Sequence, residues 1–314
     1  MQEDSAIEGG GRPRNEILLV ATLLTASFAS TGCAESGPPG ERGLAQITTG
    51  AHEEMEPQWS PDGARLSYGA GAQGDQNVFV YDFRTEEETQ VTQGLGFVHA
   101  TTWSPLGDRI AYVTTVDTDE GVNSHVYVVH LESHEIEQVT FEPSIDGSPS
   151  WSPDGTRMAF PSRRSGAFNL WVQPLDGSGS PTMVTNHAET DHGPEWSPDG
   201  RSIAFHSDHG ETASIWVLDL ERGALTRVTD DGGNDQYPDW SPDGRSLVFD
   251  SDRSGNHDIW IQRVDGDTPI QVTTDEASDF RPSWSPDGAR IAFSSDRAGT
   301  VDVWVVDAPD LPRN

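Results

Sequence analysis

The sequence contains no lysine and a single cysteine, and only 19 basic residues, all arginine, stand against 52 acidic ones. Without lysine there is no P-loop phosphate ligand and no Schiff-base amine. One cysteine excludes an intrachain disulfide framework. A net charge of -33 provides no basic face for phosphate contacts, which excludes a nucleic-acid partner and suits a solvated surface. Long apolar runs are also missing: the longest, Ile17 to Leu24, is too short and too diluted by Thr and Ser for a membrane-spanning helix.

What is abundant is glycine, 32 residues, and proline, 21, and much of both falls in one repeated stretch. Trp59-Ser60-Pro61-Asp62-Gly63 returns five times, once altered, at Trp103, Trp151, Trp196, Trp240 and Trp284. The period of about 45 residues accommodates four short strands and their turns, the requirement of a blade-forming β-repeat. Around Trp240, Pro242-Asp243-Gly244 supplies turn chemistry, with proline fixing φ, aspartate bonding local backbone and glycine taking positive φ. Ser246–Ser251 and Asp258–Val264 read as strands by β-former content and period-two alternation, and Ile270–Thr273 as a fourth. An independent register mark is the Val/Ile-Thr pair twelve residues before each tryptophan, from Ile47 to Val272.

The first fourth strand, Gln46-Ile47-Thr48, has no blade of its own, and the last third strand, around Trp304, has no fourth. Pairing them closes a ring and removes exposed edges. The sequence thus predicts an all-β fold, a six-bladed β-propeller of four-stranded antiparallel blades over residues 45–308, closed by its N-terminal strand and followed by a tail at 309–314.

Residues 1–33 read as a lipoprotein-type signal peptide: Arg12 and Arg14, an apolar stretch, small residues, then Cys33 in the place of a lipidated cysteine. Residues 34–44, with Gly37-Pro38-Pro39-Gly40, form a flexible linker.

The Pro-x-Trp-Ser-Pro-Asp-Gly motif, the Ala-Phe-x-Ser-Asp after it, the Ile-Trp strand and the Gln-Val-Thr strand resemble the TolB-type, WD40-like β-propeller repeat. The resemblance implies a non-enzymatic propeller on the periplasmic side of the bacterial cell envelope; the protein is expected to be a monomer that touches the membrane only through the lipid anchor read from the place of Cys33. Its partner would be an envelope protein or peptide, and it needs no cofactor. Similar repeats precede the catalytic domain of prolyl-oligopeptidase-type peptidases, but no Gly-x-Ser-x-Gly elbow follows the last blade. Related propellers also occur in oligogalacturonate lyases, which keeps a metal-assisted polysaccharide lyase or hydrolase open as the alternative.

Candidate site residues fall at one end, here called the top, where strand four leads to the next strand one and strand two to strand three. Five residues before the tryptophans stand Glu54, Val98, Asp146, Asp191, Asp235 and Asp279. These acids either cap loop backbone within their own blades or form an acidic mouth for calcium or another divalent cation, or for a basic segment of a partner. His187 and His192 share a loop with Asp191 and offer a metal-ligand trio. The arginines Arg163, Arg164, Arg253 and Arg297, close to Asp and Ser in repeated loops, suit structural ion pairs. Blade 2 departs most from the repeat, with Leu106 in its turn and a loop insertion over 116–121, so Asp117, Asp119 and Glu120 join the candidate partner surface.

Overall fold

Each repeat folds as its hydrogen-bonding side chains dictate. In blade 5 the Ser241 hydroxyl donates to Asp243 Oδ1 (2.7 Å) and accepts from the backbone N–H of Ser246 (2.9 Å), while Gly244 N–H donates to the Ser241 carbonyl (2.8 Å) at φ +69°. That closes the turn between strands one and two. In blade 2, where Leu106 replaces the aspartate, the Asp108 carboxylate takes the bond from Ser104 instead (2.7 Å). The threonine of the fourth strand has an equally local task. Thr92, Thr140, Thr185, Thr229 and Thr273 each accept, through Oγ1, a backbone N–H of the third strand in the same blade at 2.8 to 3.0 Å.

The computed structural model describes residues 41–311 apart from 73, 119, 120, 188, 210, 211, 231 and 267, and at 116–118, 121 and 209 the backbone alone. The leader, Cys33 and the candidates Asp119 and Glu120 lie outside the described residues, as does the side chain of Asp117. Six four-stranded antiparallel sheets follow one another, and in five of them the strands lie in chain order, as in Asp235–Trp240, Ser246–Ser251, Asp258–Arg263 and Ile270–Gln271 of blade 5. The sixth sheet joins the chain ends: Ala45–Gln46 pairs with Asp302–Asp307, Gln46 opposite Trp304. Thr48 Oγ1 there accepts the N–H of Val303 (2.9 Å), the same bond the threonine makes in the other blades. Among the described residues no helix is long and apolar enough to cross a membrane.

The apolar core is divided among six clusters, each spanning two neighbouring blades. Leu66, Tyr68 and Trp59 of blade 1, for instance, pack on Ala292, Val303 and Val305 of blade 6. The repeated tryptophan sits at these seams, and a neighbour's arginine covers its ring in four of them: Arg65 on Trp103, Arg109 on Trp151, Arg157 on Trp196 and Arg290 on Trp59, at 4.4 to 4.8 Å. Cation–π contact over a partly desolvated ring holds blade to blade.

Of the residues expected as a loop insertion in blade 2, 116–118 and 121 are paired in a ladder instead. They lengthen strands two and three, Arg109–Thr118 and Gly121–His130, into a hairpin whose last pair is Thr118 and Gly121. Blade 2 is also not alone in this, because blades 1 and 4 carry eight-residue strands at the same place. Backbone groups that pair along a ladder need no loop chemistry, so added length is absorbed as added ladder.

Candidate functional site

The first strand of each blade lines the central channel, and in five blades it is interrupted by a β-bulge just before the tryptophan. The residues three before the tryptophans are Glu56, Ala100, Ser148, Gly193, Tyr237 and Arg281. Five of the six have positive φ, between +50° and +61° in the four that are not glycine, and proline follows at four of those five positions. A bulge tolerates proline and re-aims a side chain. Left-handed backbone in non-glycine residues costs roughly 1–3 kcal/mol each and clusters at functional sites.

The neighbouring blade supports the bulge. Glu56 N–H donates to Ser294 Oγ (3.0 Å), Tyr237 N–H to His206 Nδ1 (3.2 Å), Arg281 N–H to Asp250 Oδ1 (3.0 Å), and Ala100 N–H to the Glu56 carboxylate. Each acceptor comes from the preceding blade around the ring. The acceptor type changes from blade to blade, so the channel wall has no six-fold chemistry.

At the top of the channel Ser148, Gly193, Tyr237 and Arg281 of this row line a cavity of about 270 Å3, together with His99, Val122, Phe168 and His192, while Glu56 and Ala100 line the neighbouring cleft. The Arg281 guanidinium lies 3.3 Å from the Tyr237 ring centroid and 3.3 Å from Glu56 Oε1. His192 rests between Phe168 and His206, at 4.6 and 5.5 Å between ring centroids, and His206 meets Tyr237 edge-on at 4.6 Å. Burial pushes the pKa values of His99, His192 and His206 down, with the charge of Arg281 adding to the effect in all three. The imidazoles are therefore neutral at pH 7, each with one N–H to donate. Behind Arg281, Asp250 accepts from its backbone and bonds His257 Nδ1 at 3.1 Å, a contact that raises the His257 pKa.

Lower in the channel, Glu195 of blade 4 and Asp239 of blade 5 line one cleft. Burial raises both carboxyl pKa values, and the charge of Asp239 raises Glu195 further, so the pair titrates as a unit. Asp239 also accepts the Trp284 N–H (2.5 Å), which commits one oxygen to the seam with blade 6.

The structure corrects the placement of the acids expected at the mouth. Glu54, Asp146, Asp191, Asp235 and Asp279 are buried inside their blades. Asp146 pairs with Arg164 (3.1 Å), Asp235 with Arg253 (2.7 Å) and Asp279 with Arg297 (2.7 Å). Where the arginine is replaced by a longer hairpin, other groups serve: Gly50 N–H reaches Glu54 (3.4 Å) and His187 Nε2 reaches Asp191 (3.3 Å). A buried carboxylate needs a donor close by, and the blade supplies it locally. The mouth is accordingly not a ring of free carboxylates.

The trio of His187, Asp191 and His192 is not brought together either. Asp191 and His192 are successive strand residues, whose side chains leave opposite faces; Asp191 turns into the blade toward His187, and His192 into the channel. Among the described residues no group of three or more His, Cys, Asp or Glu is placed to hold a metal ion. The repeated motifs do not mark the row of bulge residues. Its signal lay in the sequence as one position, between the repeated acid and the tryptophan, where all six residues differ.

The family model of the TolB β-propeller domain matches residues 41–192 and again 181–311. The chain belongs to the TolB β-propeller domain family. It is similar to the protein TolB homolog of Chlorobium luteolum, 32% identical over 136 residues, which are 43% of this chain and 30% of that protein. To the Tol-Pal system protein TolB of Bordetella pertussis it is 30% identical over 124 residues, 39% of this chain and 27% of the relative. The matched segments thus span less than a third of these family members. Among solved structures, putative TolB from Agrobacterium tumefaciens superposes with a TM-score of 0.65 at 29% identity, covering 76% of this chain and 86% of that one. An oligogalacturonate lyase from Vibrio parahaemolyticus superposes with a TM-score of 0.58 over 85% and 94% of the two chains, but at 16% identity. That second likeness shows the fold alone.

Proposed function

We propose that this protein is a non-catalytic binding module of the bacterial cell envelope. In this reading the leader over 1–33 directs export, a lipid on Cys33 anchors the protein on the periplasmic side, and residues 34–44 tether the propeller. Its top face captures a segment of another envelope protein, as a monomer and without a cofactor. One observation carries the reading: along the channel run six repeat-equivalent residues of different chemistry, four of them non-glycine residues held in left-handed backbone, and Ser148, Gly193, Tyr237 and Arg281 of this row line the mouth. A purely structural channel has no use for six different side chains, whereas recognition of one partner requires that the ring symmetry be broken. The similarity to TolB proteins of the Tol-Pal system supports an envelope setting. Exposed apolar side chains add to it, since Phe97, Val122 and Phe141, 47%, 57% and 72% exposed, all belong to top-face segments of blade 2 or to the connections that enter and leave it.

Site-specific photo-cross-linking in intact cells tests this. A cross-linker at Val122 or Phe168 should trap a discrete envelope protein, and one at Leu106, in a turn at the opposite end, should not. Trapping at Leu106 alone, or a substrate processed by the purified propeller, would overturn the reading.

A further inference from the structure

The expected mouth of free carboxylates would select a basic partner segment. With those carboxylates buried and paired, the groups facing the cavity are hydrogen-bond donors around one cation, Arg281. Arg281 brings a planar fork of five N–H donors, more than its contacts with Glu56, 3.3 Å from one nitrogen, and with Tyr237 take up. His99 and His192 stand in the same wall, and the hydroxyls of Thr115, Ser124 and Ser148 add further polar groups. Val122 and Phe168 supply an apolar flank. Among the described residues that line it, the one carboxylate, Asp146, is already paired with Arg164.

We propose that the mouth is a recognition site for a carboxylate on the partner polypeptide, an Asp or Glu side chain or a C-terminus, which seats on Arg281 with an apolar neighbour against Val122 and Phe168. The proposal rests on the binding-module reading and specifies its ligand.

Three features favour this occupant. The guanidinium is held in place from two sides, stacked on Tyr237 and with its own backbone N–H fixed by Asp250, so little ordering remains when a carboxylate arrives. A two-point contact between a guanidinium and a carboxylate is among the stronger hydrogen-bonded pairs. Size matters too. A cavity of about 270 Å3 lies at the small end of ligand sites, fitting one side chain and its neighbour, whereas an acidic polysaccharide needs a groove for successive rings. In a protein of net charge -33 the surrounding field opposes an anion, so selection depends on this local group and long-range steering does not help.

The test is a peptide array probed with the purified propeller, using capped peptides that carry Asp or Glu beside Leu or Phe, their Asn and Gln counterparts, and Lys counterparts. Oligogalacturonate serves as a competitor. Wild-type protein should favour the acidic peptides at least tenfold over their amide forms. Arg281→Gln should remove that preference. Glu56→Gln, which keeps an acceptor for the Ala100 N–H but frees the guanidinium, should strengthen acidic-peptide binding severalfold, a gain that a merely structural ion pair would not give. Thermal melting of both variants shows that they fold. A preference for Lys or amide peptides, or unchanged acidic binding by Arg281→Gln, overturns the carboxylate site while leaving peptide binding in place. Tighter binding of oligogalacturonate than of any peptide, or no peptide binding at all, overturns both readings.

Discussion

Replacing Arg297 by methionine isolates the energetic role of the buried acid-arginine pairs. The Arg297 side chain is 7% exposed, bonds Asp279 Oδ2 at 2.7 Å and Glu41 Oε2 at 3.3 Å, and donates to Ser295 Oγ at 2.9 Å. It also lies over Phe293 and Trp304, at 5.4 and 5.1 Å. Methionine keeps most of the apolar contact and removes the charge, leaving the fully buried Asp279 without its cation. Removing one partner of a buried pair costs roughly 3–5 kcal/mol. For a domain of this size that corresponds to a melting temperature lower by about 6–20 °C. The penalty has a pH signature. Burial already raises the Asp279 pKa despite Arg297, and without Arg297 it rises further. A folded-state pKa above the unfolded value means that the native variant takes up a proton first as pH falls. The deficit relative to wild type should therefore be greatest near pH 7 and shrink toward about pH 4, where the proton substitutes for the missing charge. Adding Asp279→Asn should recover much of it at pH 7. Arg84→Met, which removes an exposed pair with Asp82, should leave melting unchanged. A deficit below about 1 kcal/mol, or one independent of pH, would refute the reasoning.

Deleting residues 44–50 removes the strand that closes the ring, with the Ile47 to Val303 and Val303 to Thr48 bonds, and bares the edge at Asp302–Asp307; melting should fall sharply and size-exclusion chromatography should show association. Unchanged melting would count against the closure. Acidic-peptide binding should tighten as pH falls from about 7.5 to 5.5, because an arriving carboxylate raises the depressed pKa values of His99 and His192 and protons are taken up. The charged groups acting on these rings are Glu56 and Arg281 at His99, Asp208, Arg281 and Arg163 at His192, and the neighbouring His206. Calorimetry in two buffers of different ionisation enthalpy reads the uptake, and binding that weakens over this range would contradict the site. Cys33→Ser should move the protein from the membrane to the soluble periplasmic fraction; a wild type already found there would exclude the anchor.

The repeat itself was legible because its determinants are local. Ser-Pro-Asp-Gly specifies a turn through bonds that span only a few residues, as Ser241, Asp243 and Gly244 show. The Val-Thr pair marks the fourth strand because Thr229 bonds a strand that the chain has just left. Six copies at matched offsets leave a ring closed by Gln46 opposite Trp304 as the way to bury every blade face and give every blade its four strands. Period, blade count and closure therefore follow from residue order together with backbone hydrogen bonding.

The chemistry of the channel was decided elsewhere. Whether Asp235 faced solvent or the blade depended on Arg253, which returns from the second-to-third-strand connection to meet it. The bulge at Gln236 to Asp239 interrupts the two-residue alternation from which a side chain's direction is read. It aims Tyr237 into the channel beneath Arg281, its counterpart in the next blade, and puts His206 of the preceding blade behind its N–H. Those three residues are separated by most of a repeat or more, and no local preference links them. The sequence by itself determined how many blades there are and how each is built; only the closed ring, which turns one position of every repeat toward a common axis, decided that Glu56, Tyr237 and Arg281 form one site.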